Sequence, residues 1–103
     1  MKKVLVAIIL LIALFWIYMK ISDTNNLNKA WNAFAKGDYE TAISIYENLA
    51  NKGYGDAQYN LGLIYELIKG NKQDLEKAKT LYEKSCDSGV QNACIRYGSL
   101  KNY

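Results

Sequence analysis

The sequence contains no histidine and only two cysteines among 103 residues. Absence of histidine removes the commonest general base and the commonest zinc ligand. It also excludes Ser-His-Asp and Cys-His catalysis. Two cysteines cannot supply the four donors of a structural zinc site. No GxxxxGK phosphate loop is present either. Composition therefore argues against most enzyme classes, and no cofactor or metal is expected. The length allows one soluble domain at most. Once an apolar N-terminal stretch is set aside, about 83 residues are left. A domain that small buries a modest core and often relies on a staple, a partner or a repeat architecture.

The net charge of +3 is unevenly placed. Three of the 13 basic residues, Lys2, Lys3 and Lys20, flank the apolar run. The ten that follow are balanced by ten acidic residues, all beyond position 20. A neutral region with interspersed signs lacks the basic stripe that phosphate backbones require, so no nucleic acid is expected as a partner.

Val4 to Met19 are sixteen residues without a charge. As a helix they span about 24 Å, against a hydrocarbon core of about 30 Å. Ile21 and snorkelling of Lys3 and Lys20 close most of that gap. A cleaved signal peptide shares the basic start but ends in small residues. Here the exit is bulky, Phe15-Trp16-Ile17-Tyr18-Met19-Lys20, and its aromatic residues suit a membrane–water interface. The segment reads as an uncleaved signal anchor over residues 1–22, contacting the membrane through 4–19, with cleavage as the alternative. Lys2 and Lys3 place the amino terminus in the cytoplasm by the positive-inside rule. Residues 23–103 then lie outside it.

Cys86 and Cys94 are separated by seven residues. A Cys-x-x-Cys redox pair is excluded by that spacing. A reactive thiol wants a cationic neighbour, and a structural disulfide an oxidising compartment. The anchor supplies such a compartment, so the disulfide is favoured over two free buried thiols or a reactive cysteine.

Beyond position 25, Gly37, Gly53, Gly70 and Gly89 read as helix stops. Asp38, Asp56 and Asp74 read as N-caps. Apolar residues recur at helical spacing in Ala42, Ile45, Tyr46 and Leu49, and again in Ala78, Leu81 and Tyr82. The spacing predicts an all-α chain with helices over about 26–36, 39–52, 56–69, 75–88 and 92–100. A shift of 36 residues superposes Asp38 on Asp74, Ala42 on Ala78, Tyr46 on Tyr82, Glu47 on Glu83, Gly53 on Gly89, Ala57 on Ala93 and Gly62 on Gly98. Such a period marks a helical-pair repeat. The small residues at 42, 62, 78 and 98 admit close helix approach, and Tyr46 and Tyr82 fill the space between layers.

Ala57-Gln58-Tyr59-Asn60-Leu61-Gly62-Leu63-Ile64-Tyr65, Asp74-Leu75-Glu76-Lys77-Ala78, Leu81-Tyr82-Glu83-Lys84 and Gly89 resemble the Sel-1-like repeat family, relatives of tetratricopeptide repeats. Lys36-Gly37-Asp38-Tyr39-Glu40-Thr41-Ala42 is more like a tetratricopeptide repeat. The loop Lys69–Gln73 departs from the Sel-1 pattern, and the third repeat stops after its first helix. The resemblance implies a short αα-hairpin solenoid, which here would follow the transmembrane helix read from the apolar run. Tyr82-Glu83-Lys84-Ser85-Cys86 with Ala93-Cys94 is similar to the cysteine-rich, Hcp-like branch. There a Cys-x7-Cys pair links the second helix of one repeat to the first helix of the next, and some members are β-lactamases.

In carboxylate-clamp tetratricopeptide domains, a residue just before the Leu-Gly pair contacts the ligand. The resemblance places Asn28, Asn60 and Arg96 there. Leu27 and Trp31 break the clamp pattern. Trp31, Tyr59, Asn60 and Arg96 are the candidate ligand-binding residues, an aromatic and cationic groove for a peptide. The plainer alternative is that Trp31 and Tyr59 pack in the core while Asn60 and Arg96 are solvated. The expected function is a membrane-anchored scaffold binding a protein or peptide in the cell envelope. Its expected place is a bacterial inner membrane, with the C-terminal domain in the periplasm. The alternative is an Hcp-like β-lactamase, although no Ser-x-x-Lys motif is present.

Overall fold

The computed structural model describes residues 1–102. These form α1 (Lys2–Ala35), α2 (Tyr39–Asn51), α3 (Gly55–Ile64), a π-helical turn (Tyr65–Lys69), α4 (Lys72–Asp87) and α5 (Gln91–Leu100). No strand occurs among the described residues.

The apolar run and the first repeat helix are one continuous helix of 34 residues. No break in the backbone therefore falls at the expected 22/23 boundary. No glycine or proline precedes Gly37, so nothing in the sequence interrupts the backbone ladder. Residues 1–18 are exposed, and Ala30 and Ala33 are buried against the repeats. Gly37 ends α1 with φ +81°, its N–H bonding to Phe34 O while Asp38 N–H bonds to Ala33 O. That left-handed position suits glycine. Gly53, Gly70 and Gly89 repeat it, as the sequence predicts.

The caps follow the sequence only in part. Asp38 caps α2, its carboxylate accepting from Thr41 N at 3.3 Å. Asp56 and Asp74 lie inside the first turns of α3 and α4. There they favour the helix dipole without capping. Asn71 caps α4, accepting from Asp74 N at 2.9 Å. Asn71 takes the cap because it holds the extended N-cap position before Lys72, whereas Asp74 is the third residue of the helix and supplies the N–H that is capped.

Successive helices pack as antiparallel hairpins, α1 on α2, α2 on α3, α3 on α4 and α4 on α5. One core cluster joins Ala30, Ala42, Tyr46, Leu49, Ala57, Leu61 and Ile64. The second joins Ala78, Tyr82, Ala93 and Leu100, and Tyr65 packs against both. Tyr46 and Tyr82 are fully buried, as interlayer fillers should be. Ala42 and Ala78 are buried at close approaches. A β-carbon on Gly62 would sit 2.6 Å from the Tyr82 ring, whereas one on Gly98 would meet nothing within 4 Å. The expected close approach therefore holds at 42, 62 and 78 and fails at 98, because among the described residues no helix covers that face of α5.

Candidate functional site

Helical-pair solenoids present the first helix of each pair on one face. On that face α1 and α3 enclose a groove of about 290 Å³ lined by Leu27, Asn28, Trp31, Asp56, Tyr59 and Asn60. Three of the four candidate residues, Trp31, Tyr59 and Asn60, are thereby brought together. Trp31 is 54% exposed and is not a core residue. It stacks on Phe34 of its own helix, ring centroids 5.7 Å apart. Tyr59 is half-buried, its ring tilted against Tyr82 at 5.9 Å. Asn60 is half-buried as well, its Nδ2 donating to the Tyr46 hydroxyl at 3.3 Å.

Arg96 does not join the groove. Its guanidinium donates from one nitrogen to both oxygens of Glu66, at 3.2 and 3.3 Å. Glu66 also accepts from the Tyr82 hydroxyl at 2.7 Å. Burial, reinforced by Glu66, pushes the Tyr82 hydroxyl well above the usual tyrosine range. The π-helical turn carries Glu66, and its Gly70 N–H to Tyr65 O bond closes that turn. Arg96 thus holds α5 to the end of α3, and its charge is already matched.

The repeat register explains this difference. Asn60 and Arg96 are equivalent positions, each beside the buried tyrosine of its layer. Asn60 reaches Tyr46 directly, and Arg96 reaches Tyr82 through Glu66. Glu66 was not legible in the sequence, because its two partners lie 16 and 30 residues away.

Cys86 in the last turn of α4 and Cys94 in the first turn of α5 are disulfide-bonded, with α-carbons 4.6 Å apart. The equivalent positions one repeat earlier are Ala50 and Gln58. There the Gln58 Nε2 donates to Ala50 O at 3.3 Å. Gln58 is 6% exposed, and its Oε1 has no partner. One layer is stapled covalently where the other is held by a single amide contact.

A second cluster went unforeseen. Asp23 on α1 is 4% exposed. Its carboxylate accepts from Lys52 Nζ at 2.8 Å and from the Tyr54 hydroxyl at 2.7 Å. The Lys52 and Tyr54 hydrogen bonds hold its carboxyl below the usual range. Both partners lie on the turn between α2 and α3.

A family model for the tetratricopeptide repeat matches residues 26–54 and 56–87. The chain belongs to the tetratricopeptide repeat family. The first matched repeat comprises the C-terminal part of α1, from residue 26, with α2, and the second comprises α3, the π turn and α4. Helix α5 follows as a further first-position helix. Among curated relatives, DAP3-binding cell death enhancer 1 of Rattus norvegicus is 48% identical over 42 residues, 41% of this chain. The Mus musculus protein of that name matches equally. The chain spans about 8% of the length of these relatives, which are much longer proteins.

Proposed function

We propose that this tetratricopeptide repeat protein is a membrane-anchored, extracytoplasmic interaction scaffold, and that the α1–α3 groove holds an extended peptide segment of a partner protein. The observation that carries the reading is Trp31, a large aromatic side chain left 54% exposed on the first-helix face. It stands among groups able to bond a peptide backbone, Asn28, Asn60 and Asp56. Exposed tryptophan beside polar amides is the composition of an interface anchor. The rodent relatives are named for binding DAP3, and a protein-binding role agrees with that.

Anchoring is supported by α1, whose most apolar 18 residues have a mean hydropathy of 2.7 and bury nothing in the protein. The outside location is supported by Lys2 and Lys3 before the apolar run and by the Cys86–Cys94 bond. The same bond supports the Sel-1-like, cysteine-rich branch, since it joins the second helix of one repeat to the first of the next.

Photocrosslinking in native membranes tests the groove. A crosslinker at Trp31 should capture a discrete protein, and one at the exposed Ser44 on α2 should not. Capture from Ser44 alone would move the interface to the other face. Nitrocefin turnover abolished by a point mutation would overturn the scaffold reading in favour of a β-lactamase.

A further inference from the structure

The Asp23 cluster lies where α1 leaves its apolar run. In the 36-residue register, Asp23, Lys52 and Tyr54 correspond to Tyr59, Ser88 and Val90, and Tyr59 and Val90 belong to the apolar packing of the second layer. The first layer puts a buried carboxylate and a lysine where the second uses apolar contact. An ion pair with its carboxylate buried and its lysine exposed is often no more stabilising than such a contact, so stability gives no reason for the exchange. Location supplies one. Asp23 lies three residues beyond Lys20, about 4.5 Å along the helix axis. The α2–α3 turn is thereby held at the level where the uncharged run ends.

Beside the cluster is a cavity of about 380 Å³. Its walls change along α1: Phe15, Trp16 and Met19 come first, then Lys20, and Lys52 and Tyr54 close the far side. An apolar floor with a cationic rim follows the order of a phospholipid, with acyl chain and glycerol below and phosphate above. Both Asp23 oxygens are occupied by Lys52 and Tyr54, so the carboxylate is neutralised and the two lysines leave a net positive rim. Lys20 has no ion-pair partner among the described residues.

We infer that this cavity is a binding site for one anionic phospholipid, its phosphate held between Lys20 and Lys52 and its upper chain against Trp16. The inference rests on the membrane reading above. A bound headgroup would fasten the α2–α3 turn, and with it the repeats, to the bilayer surface.

The test uses the full chain in phosphatidylcholine vesicles containing phosphatidylglycerol. Trp31→Phe leaves Trp16 as the single tryptophan. Brominated phosphatidylglycerol and brominated phosphatidylcholine are then compared as quenchers at equal mole fraction. The anionic lipid should quench with about a fivefold preference, the effect of one lysine near the surface. Lys20→Gln should bring the preference close to unity. Lys20→Gln combined with Ile21→Lys keeps a charge at the same depth on another face of α1 and should not restore it. Restoration would mean diffuse attraction and overturn the site. Equal quenching by both lipids in the Trp31→Phe chain would overturn it while leaving the anchor intact. Absence of quenching by either lipid would overturn the membrane reading, and the lipid site with it.

Discussion

Gly62 shows how one missing side chain sets the separation of two helices. Its hydrogen faces the Tyr82 ring, and a β-carbon there would lie 2.6 Å from that ring. Tyr82 is fully buried and its hydroxyl is held by Glu66, so the ring cannot move aside freely. Gly62→Leu should destabilise the repeats by about 1–3 kcal/mol or more through overpacking. Gly98→Ala, at the equivalent position, should be neutral or stabilising by up to about 1 kcal/mol from helix propensity. Denaturant unfolding of both variants in detergent checks the contrast, and equal losses would refute it. The equivalence of Ala50 with Cys86 and of Gln58 with Cys94 gives a second expectation. Ala50→Cys with Gln58→Cys should form a second disulfide, leaving no free thiol by denaturing titration. Two titratable thiols would show that the two layers are not superposable at this point.

The connections between helices depend on two fastenings, one electrostatic and one covalent. Asp23 binds α1 to the α2–α3 turn, and its folded-state pKa lies below the unfolded value of about 3.9. A depressed carboxyl contributes stability in full above the unfolded pKa. It loses that contribution as pH falls through the folded pKa. Asp23→Asn should therefore lower the melting temperature clearly at pH 6, and the gap to the parent chain should narrow below about pH 4. A gap unchanged between pH 6 and pH 3 would contradict the ionic role. The Cys86–Cys94 bond fastens α5, whose outer face bears exposed Ile95 and uncovered Gly98. Closing a loop of about nine residues is worth roughly 2–3 kcal/mol. Reduction should lower the melting temperature by several degrees. Hydrogen exchange should quicken in α5 before α2, and uniform quickening would argue against a local staple.

At the scale of the whole molecule, the continuous α1 makes a rod with repeats clamped to its upper half, 60 Å in its longest dimension. On the proposed reading the lower half crosses the bilayer, and the Asp23 cluster leaves no loose linker between membrane and groove. The full chain should then sediment with membranes and resist alkaline carbonate extraction. A soluble product starting near residue 20 would show cleavage instead.

The helices, their glycine stops and the 36-residue period were legible in the sequence because each depends on neighbours within a few turns. The burial of Tyr46 and Tyr82 followed from that period, and the pairing of Cys86 with Cys94 from their short spacing across the Gly89 stop. Trp31, Tyr59 and Asn60 share a groove because their positions lie on successive first helices, which the repeat register already implied. The ion pairs were not legible. Arg96 meets Glu66 across 30 residues and Asp23 meets Lys52 across 29. Neither separation is a repeat length, and only the packed helices bring those side chains within hydrogen-bonding distance. Packing likewise turned Arg96 away from the groove, since the half-buried Glu66 carboxylate in the π turn offers the guanidinium a charge-assisted hydrogen bond. Local stereochemistry decided the elements, and the low-dielectric contacts between them decided which charges are left for a partner.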